Sequence, residues 1–387
     1  MKIIYCIDSI NGIGGIQKVT LEKAGVLADI PGYNVWIITA DNSGERQFPL
    51  SSKVHHLDLG INYYEDDWKS RWHVIKGILI NRRKHRGALK KLLNEILPDI
   101  VISVGQSEKN FLPTIRGPWG TIREFHFVKS YRGFHAHTPF DRLLARGGDL
   151  MDRFVLKKYD RIVVLTQEDK EQNWHPWKNV SVIPNPAPFS SRYASLVHKH
   201  ILAIGKLTYQ KNFSSLIRAF AIVRQQFPDW SLDIFGEGEE REALSSEIRS
   251  FGLNFSIRLM GNMSDVPNLL PHYSLFAMSS RFEGFPLVLV EALSCGLPVV
   301  SYACPCGPKD IIRDGIDGYL VPPGDETMLA ERLCRLIKDE ELRKKMGAAA
   351  RERAKDFSID KIIPVWMSLF EELIEKQKGK MNQKSPN

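Results

Sequence analysis

The stretch Arg281–Ser301, RFEGFPLVLVEALSCGLPVVS, holds two carboxylates, Glu283 and Glu291, with seven residues between them. Glu283 precedes the turn Gly284–Phe285–Pro286, and Glu291 lies inside the apolar run that opens at Leu287. Gly296 and Pro298 close that run before the stretch Val299 to Tyr302. The order is that of a loop, a helix, a glycine stop and a buried strand. It predicts one acidic residue at a helix entrance and another about two turns in, both at one end of a crevice. A helix start carries unpaired N–H groups and seats a phosphate. The segment therefore reads as a nucleotide-binding corner.

Outward from this corner, strand and helix signals alternate along the whole chain, which predicts parallel sheets with crossover helices. In the first half the strand signals are KIIYCID, NVWIITA, KVHHLDL, DIVISVG, GTIREFH and RIVVLT. The segment Ile183–Pro188, IPNPAP, then interrupts the rhythm, because its three prolines cannot continue a helix or a central strand. Alternation restarts with HILAIGKL, SLDIFGEG, IRLMGN, LFAMSS and PVVSY, a second open sheet. The reading is a domain over 1–186, a second over 187–360, a helix over 361–375 returning to the first domain, and a disordered tail over 376–387. Two doubly wound domains joined by a hinge have a crevice at their strand carboxyl ends, where ligands bind.

Bulk properties agree with a folded two-domain chain. At 387 residues the chain exceeds one ordinary core, and 43% hydrophobic with 25% charged residues is a globular composition. No window approaches the ~18 uninterrupted apolar residues of a membrane span. The start, MKIIYCIDSINGIGG, reads as a first strand and not a signal peptide. Five scattered cysteines, with no histidines at zinc spacing, fit a reduced cytoplasmic compartment and no metal. The net charge of +8 is concentrated: from Trp68 to Leu92 there are nine Lys or Arg and no acid. Trp68, Trp72, Ile75 and Leu79 share a face if this stretch is helical, although Gly77 and Gly87 weaken a continuous helix. One reading is a core-facing stripe with a solvated basic back. The other is a basic surface resting on anionic lipid head groups at the cytoplasmic membrane face. Nothing in the sequence supports nucleic acid as a partner.

Other candidate groups fall at predicted strand ends. Gly14 and Gly15, after Gly12, follow the first strand without completing a dinucleotide fingerprint, and read either as a tight turn or as a place where a ligand meets backbone. Lys206 and Lys211 flank the loop GKLTYQKN and either neutralise a diphosphate or are merely solvated. His126 closes GTIREFH with Glu124 on the same face, either as a site residue or as a satisfied core histidine. His135 and His137 show no metal-like spacing with it, and Asp149 and Asp152 read as a solvated helix face.

Taken in order, GIGGIQ, LAIGKLTYQKNFSSLIRAFA, DIFGEGEERE, IRLMGN, SSRFEGFPLVLVEALSCGLPVVS and GPKDIIRDGIDGYLVPPGD resemble the family 4 retaining glycosyltransferases, glycosyl transferases group 1, over nearly the whole chain. The resemblance implies two Rossmann-like domains facing each other across a cleft, the GT-B arrangement. It implies that Gly14 and Gly15 admit donor phosphates and acceptor, and that Lys206 and Lys211 hold the diphosphate. It implies that Glu283 binds sugar hydroxyls, that the backbone from Gly284 through Phe285 and Pro286 to Leu287 supports the phosphates, and that Glu291 holds the ribose. His126 would contact the transferring sugar. The donor would be a nucleotide diphosphate sugar, UDP before GDP, with no metal and no other cofactor. CPCGPKDII resembles the loop of members that build bacterial surface polysaccharides such as capsule or lipopolysaccharide, so the acceptor would be a glycan or a lipid-linked glycan. Two positions depart from the family: Lys206 stands where arginine is usual, and Phe127 follows His126 where many members have aspartate. A sugar-nucleotide epimerase of the same fold and a catalytically silent nucleotide-sugar-binding protein are the alternative readings.

Overall fold

The structure, a computed structural model, describes residues 1–12, 14–63, 71–127, 147–148, 150, 152–263 and 265–382. Trp68, Lys69, His135, His137 and Asp149 lie outside these, as do the side chains of Trp72 and Ile75. The chain divides into an N-terminal unit of Met1–Val164, Asn173–Ile183 and Ile363–Asn387, and a C-terminal unit of Leu165–Gln172 and Pro184–Ile362.

The N-terminal unit is built on a seven-stranded parallel sheet of order β3-β2-β1-β4-β5-β6-β7. Its strands are β1 (Lys2–Ile7), β2 (Asn34–Thr39), β3 (His55–Asp58), β4 (Ile100–Ser103), β5 (Gly120–Glu124), β6 (Arg161–Val164) and β7 (Val180–Val182). The central strand β1, KIIYCI, is buried from Ile3 to Ile7 because helices cover both faces of a parallel sheet, and its sequence is accordingly a continuous apolar run. Strand order reverses between β1 and β4, the switch at which open sheets leave a crevice. Helix α1 (Gly15–Asp29) follows β1, with Gly14 as its N-cap. Helix α2 (Arg71–Ile96) precedes β4 and is continuous through Gly77 and Gly87, contrary to the interruption their weak helix propensity predicts. Burial of Leu89 and Leu93 in the core beside Ile38, Val101 and Ile162 outweighs the roughly 1 kcal/mol that each glycine costs. The stripe reading fails at Leu79, which is exposed; among the described side chains of α2 the first buried one is His85.

The C-terminal helix, Ile359–Asn382, buries Trp366, Phe370 and Leu373. Leu373 meets the first residue of β5, where a Cβ on Gly120 would stand 3.3 Å from that of Leu373. The helix continues to Asn382, past the Lys376 at which the sequence predicts a disordered tail.

The C-terminal unit has a six-stranded parallel sheet of order β10-β9-β8-β11-β12-β13. Its strands are β8 (His200–Ile204), β9 (Ser231–Phe235), β10 (Ile257–Gly261), β11 (Leu275–Met278), β12 (Val299–Tyr302) and β13 (Gly318–Val321). Buried clusters lie on the two faces, one around Phe220, Leu232 and Leu333, the other around Phe276, Leu293 and Phe357. The switch in strand order falls between β8 and β11. The loops carrying Lys206, Lys211 and Glu283 leave the carboxyl ends of these two strands.

Candidate functional site

In the C-terminal unit two loops are laced together. Arg281 N donates to Gln210 O at 2.8 Å, Gln210 Nε2 donates to Phe282 O at 2.9 Å, and Arg281 Nη2 donates to Asn212 Oδ1 at 2.7 Å. The guanidinium also stands 4.3 Å above the Tyr209 ring. This lacing brings Lys211 Nζ to 2.6 Å from Glu283 Oε1, both largely buried. Gly205 gives the lysine stem its room, since a Cβ there would meet Lys211 carbons at 3.1–3.2 Å. From the other side Glu283 N donates to Pro305 O at 2.8 Å, and Cys306 N donates to Glu283 O at 3.0 Å. Gly307, at φ +107°, closes this second clasp, because a Cβ would lie 2.5 Å from Pro286 Cδ. Glu283 is thus held by backbone on two sides, with its carboxylate paired to a cation.

The helix that follows is Leu287–Ser294, with Pro286 as its N-cap. Glu283 therefore stands four residues before the first helical residue and not at the entrance itself. Glu291 is the fifth helical residue, about one turn in where the sequence predicts two, because the Gly284–Pro286 turn is extended. Glu291 is buried and lines a separate cavity of about 180 Å3 with Ser190, Arg192 and Asn268. Lys206 is exposed at the end of β8. Its loop is fixed from below by Leu207 N donating to Glu237 O and Glu240 N donating to Leu207 O, at 2.9 and 3.0 Å. Gly236 and Gly238 permit this approach. A Cβ on Gly236 (φ +142°) would lie 1.9 Å from Gly205 O, and one on Gly238 would lie 2.2 Å from Leu207 O.

In the N-terminal unit, Gly14 and Gly15 open α1, and a Cβ on Gly14 would meet only the flexible Gln17 side chain. The residue whose backbone demands glycine is Gly12, at φ +97°. His126 sits just past β5, buried, with Nε2 3.3 Å from Glu124 Oε1. The same oxygen accepts from the ammonium of Lys23, a lysine fully buried on α1. Lys23 Nζ also lies 4.4 Å from the ring centre of Trp366. Burial alone would raise the Glu124 pKa, but Lys23 and His126 overcome it and hold the carboxyl at about 2. Burial lowers the Lys23 pKa against the pull of Glu124. Beside this pair, Glu108 accepts from Ser103 Oγ at 2.7 Å and lies 3.8 Å from Arg123 Nη1. Burial and the Asp8 carboxylate push the Glu108 pKa up to about 7.

Sequence reasoning named Lys211 beside Lys206, Glu283 beside Glu291 and His126 beside Glu124; the structure pairs Lys211 with Glu283 and sets His126 3.3 Å from Glu124. It does not bring Lys206 onto Glu283. It also shows groups that were missed. Lys23 is the one charged residue among the buried positions of α1, beside Val19, Ala24 and Leu27, which is its sequence signal. The alternating glycines of FGEG were the signal for the clasp under Lys206.

Two units of parallel sheet, each with charged groups in loops beyond the carboxyl ends of its strands, are the architecture of the GT-B fold. Residues 196–353 match the family model described as glycosyl transferases group 1. It is 29% identical over 383 residues to the amylovoran biosynthesis glycosyltransferase AmsD of Erwinia amylovora, covering 94% of this chain and 98% of that one. It is 28% identical over 378 residues to the GalNAc-alpha-(1->4)-GalNAc-alpha-(1->3)-diNAcBac-PP-undecaprenol alpha-1,4-N-acetyl-D-galactosaminyltransferase of Campylobacter jejuni, covering 96% and 99%. Among solved structures, a mutant of S. aureus TarM in complex with fondaparinux, alpha-GlcNAc-glycerol and UDP shares the fold with a TM-score of 0.75, at 15% identity over 95% of this chain and 99% of that one.

Proposed function

We propose that the protein transfers a hexose or N-acetylhexosamine, with retention of anomeric configuration, from a nucleotide diphosphate sugar to a glycan or lipid-linked acceptor in bacterial surface polysaccharide synthesis. The observation that carries this reading is the Lys211–Glu283 pair at 2.6 Å, clasped at the sheet's switch point. Lys211 with Lys206 neutralises the diphosphate and the charge that develops on it as the glycosidic bond breaks. Glu283, acceptor-only when ionised, takes hydrogen bonds from sugar hydroxyls, while the N–H groups of Gly284, Phe285 and Leu287 face phosphate oxygens. Glu291 holds the ribose, and the backbone at Gly14 and Gly15 admits donor and acceptor. His126 stabilises the positive charge growing at the anomeric carbon, and a donor phosphate oxygen takes the acceptor's proton. UDP is favoured over GDP by the nucleotide in the TarM complex of the same fold. Surface polysaccharide is favoured by the amylovoran and undecaprenol-linked relatives. The basic helix α2 would rest on the anionic inner face of the cytoplasmic membrane. Among the described residues no helix is long and apolar enough to cross a membrane.

The test is a thermal-shift panel of uridine and guanosine diphosphates and their sugars with EDTA present, followed by NMR of the product's anomeric proton. UDP at a hundred times its dissociation constant stabilises the chain by ~2.7 kcal/mol. Silence to every nucleotide would remove the donor site, and an inverted anomer would remove retention. Glu283→Gln is expected to lower kcat by about a hundredfold or more while the fold persists.

A further inference from the structure

The cavity of about 180 Å3 that holds Glu291 lies wholly within the C-terminal unit and is lined by two separate stretches of chain. One is the helix Leu287–Ser294, through Glu291 and Ser294. The other is a strap, residues 188–192, that belongs to no helix or strand. Pro267 and Leu270 add to a lining that is mostly apolar, which suits the faces of a base and a ribose better than a phosphate.

Burial does not fix the strap, since Phe189 and Tyr193 are 38% and 68% exposed. Its ends are tethered by backbone. Ala187 N donates to Phe357 O at 3.0 Å, and Ala194 N donates to Cys295 O at 2.8 Å. Between these tethers two of its carbonyls turn to one side chain. Arg351 Nη2 donates to Ser190 O at 2.9 Å, and Nη1 donates to Arg192 O at 3.2 Å and to Ser294 O at 2.6 Å. Ser294 ends the helix that carries Glu291, so its carbonyl is one that a helix leaves without an intrahelical partner. One planar fork thus joins both stretches that line the cavity. The guanidinium carbon also lies 3.6 Å from the Tyr193 ring centre and 4.5 Å from that of Phe189, so the strap meets it through rings as well as carbonyls.

The place of Arg351 follows from a glycine. On the helix Glu340–Ala354 it stands four residues beyond Gly347, hence on the same face. A Cβ on Gly347 would lie 2.4 Å from Gly296 O, so the two backbones touch there and bring Arg351 to the end of Leu287–Ser294. Lys344, on the same helix, pairs instead with Glu340 and Glu341 at 2.8 and 3.6 Å.

We propose that Arg351 is a positioning residue for the donor's nucleoside. It acts through the strap and the Glu291 helix and not on the reacting atoms, setting the width of the slot that takes base and ribose. The assignment rests on the reading of Glu291 as the residue that holds the ribose, and it adds what keeps that residue's cavity in shape. An ammonium on a flexible stem cannot reproduce a planar fork that spans three carbonyls, so lysine is an incomplete substitute.

The experiment is calorimetry of the full chain with UDP, with GDP alongside, and with methyl diphosphate, which carries the phosphates without the nucleoside. Arg351→Ala is expected to weaken UDP binding tenfold or more, ~1.4 kcal/mol, and to leave methyl diphosphate within about twofold of the wild-type chain. Arg351→Lys is expected to weaken UDP binding by about threefold, and it is the variant to read if Arg351→Ala does not fold. Lys344→Ala is expected to match the wild-type chain with every ligand. Hydrogen exchange supplies a second readout: UDP is expected to protect the amides of residues 189–194 in the wild-type chain and not in Arg351→Ala. Equal weakening of UDP and methyl diphosphate would overturn the proposal, by making Arg351 a support for the whole unit. UDP affinity unchanged in both Arg351 variants would overturn this inference alone. A wild-type chain silent to UDP and GDP would overturn the donor reading along with it.

Discussion

Lys23 is the residue whose role depends most on its surroundings. A lysine in an amphipathic helix reads as a surface group by default, and only burial reveals it as the counterion of Glu124. Removing one member of a buried pair leaves an uncompensated charge. Lys23→Met is therefore expected to destabilise the N-terminal unit by ~3–5 kcal/mol, while Lys23→Met/Glu124→Leu restores most of that, as urea titration would show. If both variants unfolded at the same urea concentration, the pair would have no such role. Glu124 and Glu108 oppose each other in pH dependence. The depressed pKa of Glu124, about 2, gives stability present above the ordinary carboxylate range and lost as pH falls. Glu108, raised to about 7, binds its proton more tightly folded than unfolded, so its contribution falls as pH rises from about 4.5 to 7. That window corresponds to roughly 3 kcal/mol. Glu108→Gln is expected to flatten it, measured by chemical denaturation across those pH values. Lys211 and Glu283 were legible because each lies in a motif-bearing loop that follows a strand signal. Glu108 was not, because nothing local marks a glutamate that turns inward.

Strands were legible wherever both faces are buried, since such strands are unbroken apolar runs, as in IVIS of β4 and LFAM of β11. The three residues of β7 are too few to show a period, and β13 opens on Gly318. That glycine is required because a Cβ would lie 2.7 Å from Val299 O of the neighbouring strand. Long-range contacts of this kind have no local trace. The clasp beneath Lys206 belongs to the same class. In Gly236→Ala a Cβ would meet Gly205 O at 1.9 Å, so the two loops must separate. The expected cost is ~1–3 kcal/mol, with a weakened response to UDP; a wild-type melting point and UDP affinity would show that the clasp is dispensable. On α2, neither the burial of Leu89 and Leu93 nor the exposure of Ile78 to Ile80 was read, because the sequence cannot say where along a helix the core ends.

At the scale of the molecule, the chain leaves the N-terminal unit, builds the other, and returns with the C-terminal helix. Truncation before Ile363 is expected to uncover the site filled by Trp366, Phe370 and Leu373 and to destabilise the N-terminal unit selectively. Hydrogen exchange would show protection lost in β1, β4 and β5 while β8 to β12 keep theirs; uniform protection in both units would contradict this. The return path also has a consequence for birth on the ribosome. Synthesis runs from the amino end, so the strands of the N-terminal unit emerge first, yet the helix that covers Gly120 and Lys23 emerges last. The C-terminal unit, complete at Ile362, has its whole sequence before the N-terminal unit does. Most domains close in the order in which they are translated. Here the second-made unit is the first that can finish. The nascent N-terminal sheet must therefore wait, with Lys23 and Glu124 still open to water, throughout the translation of its partner.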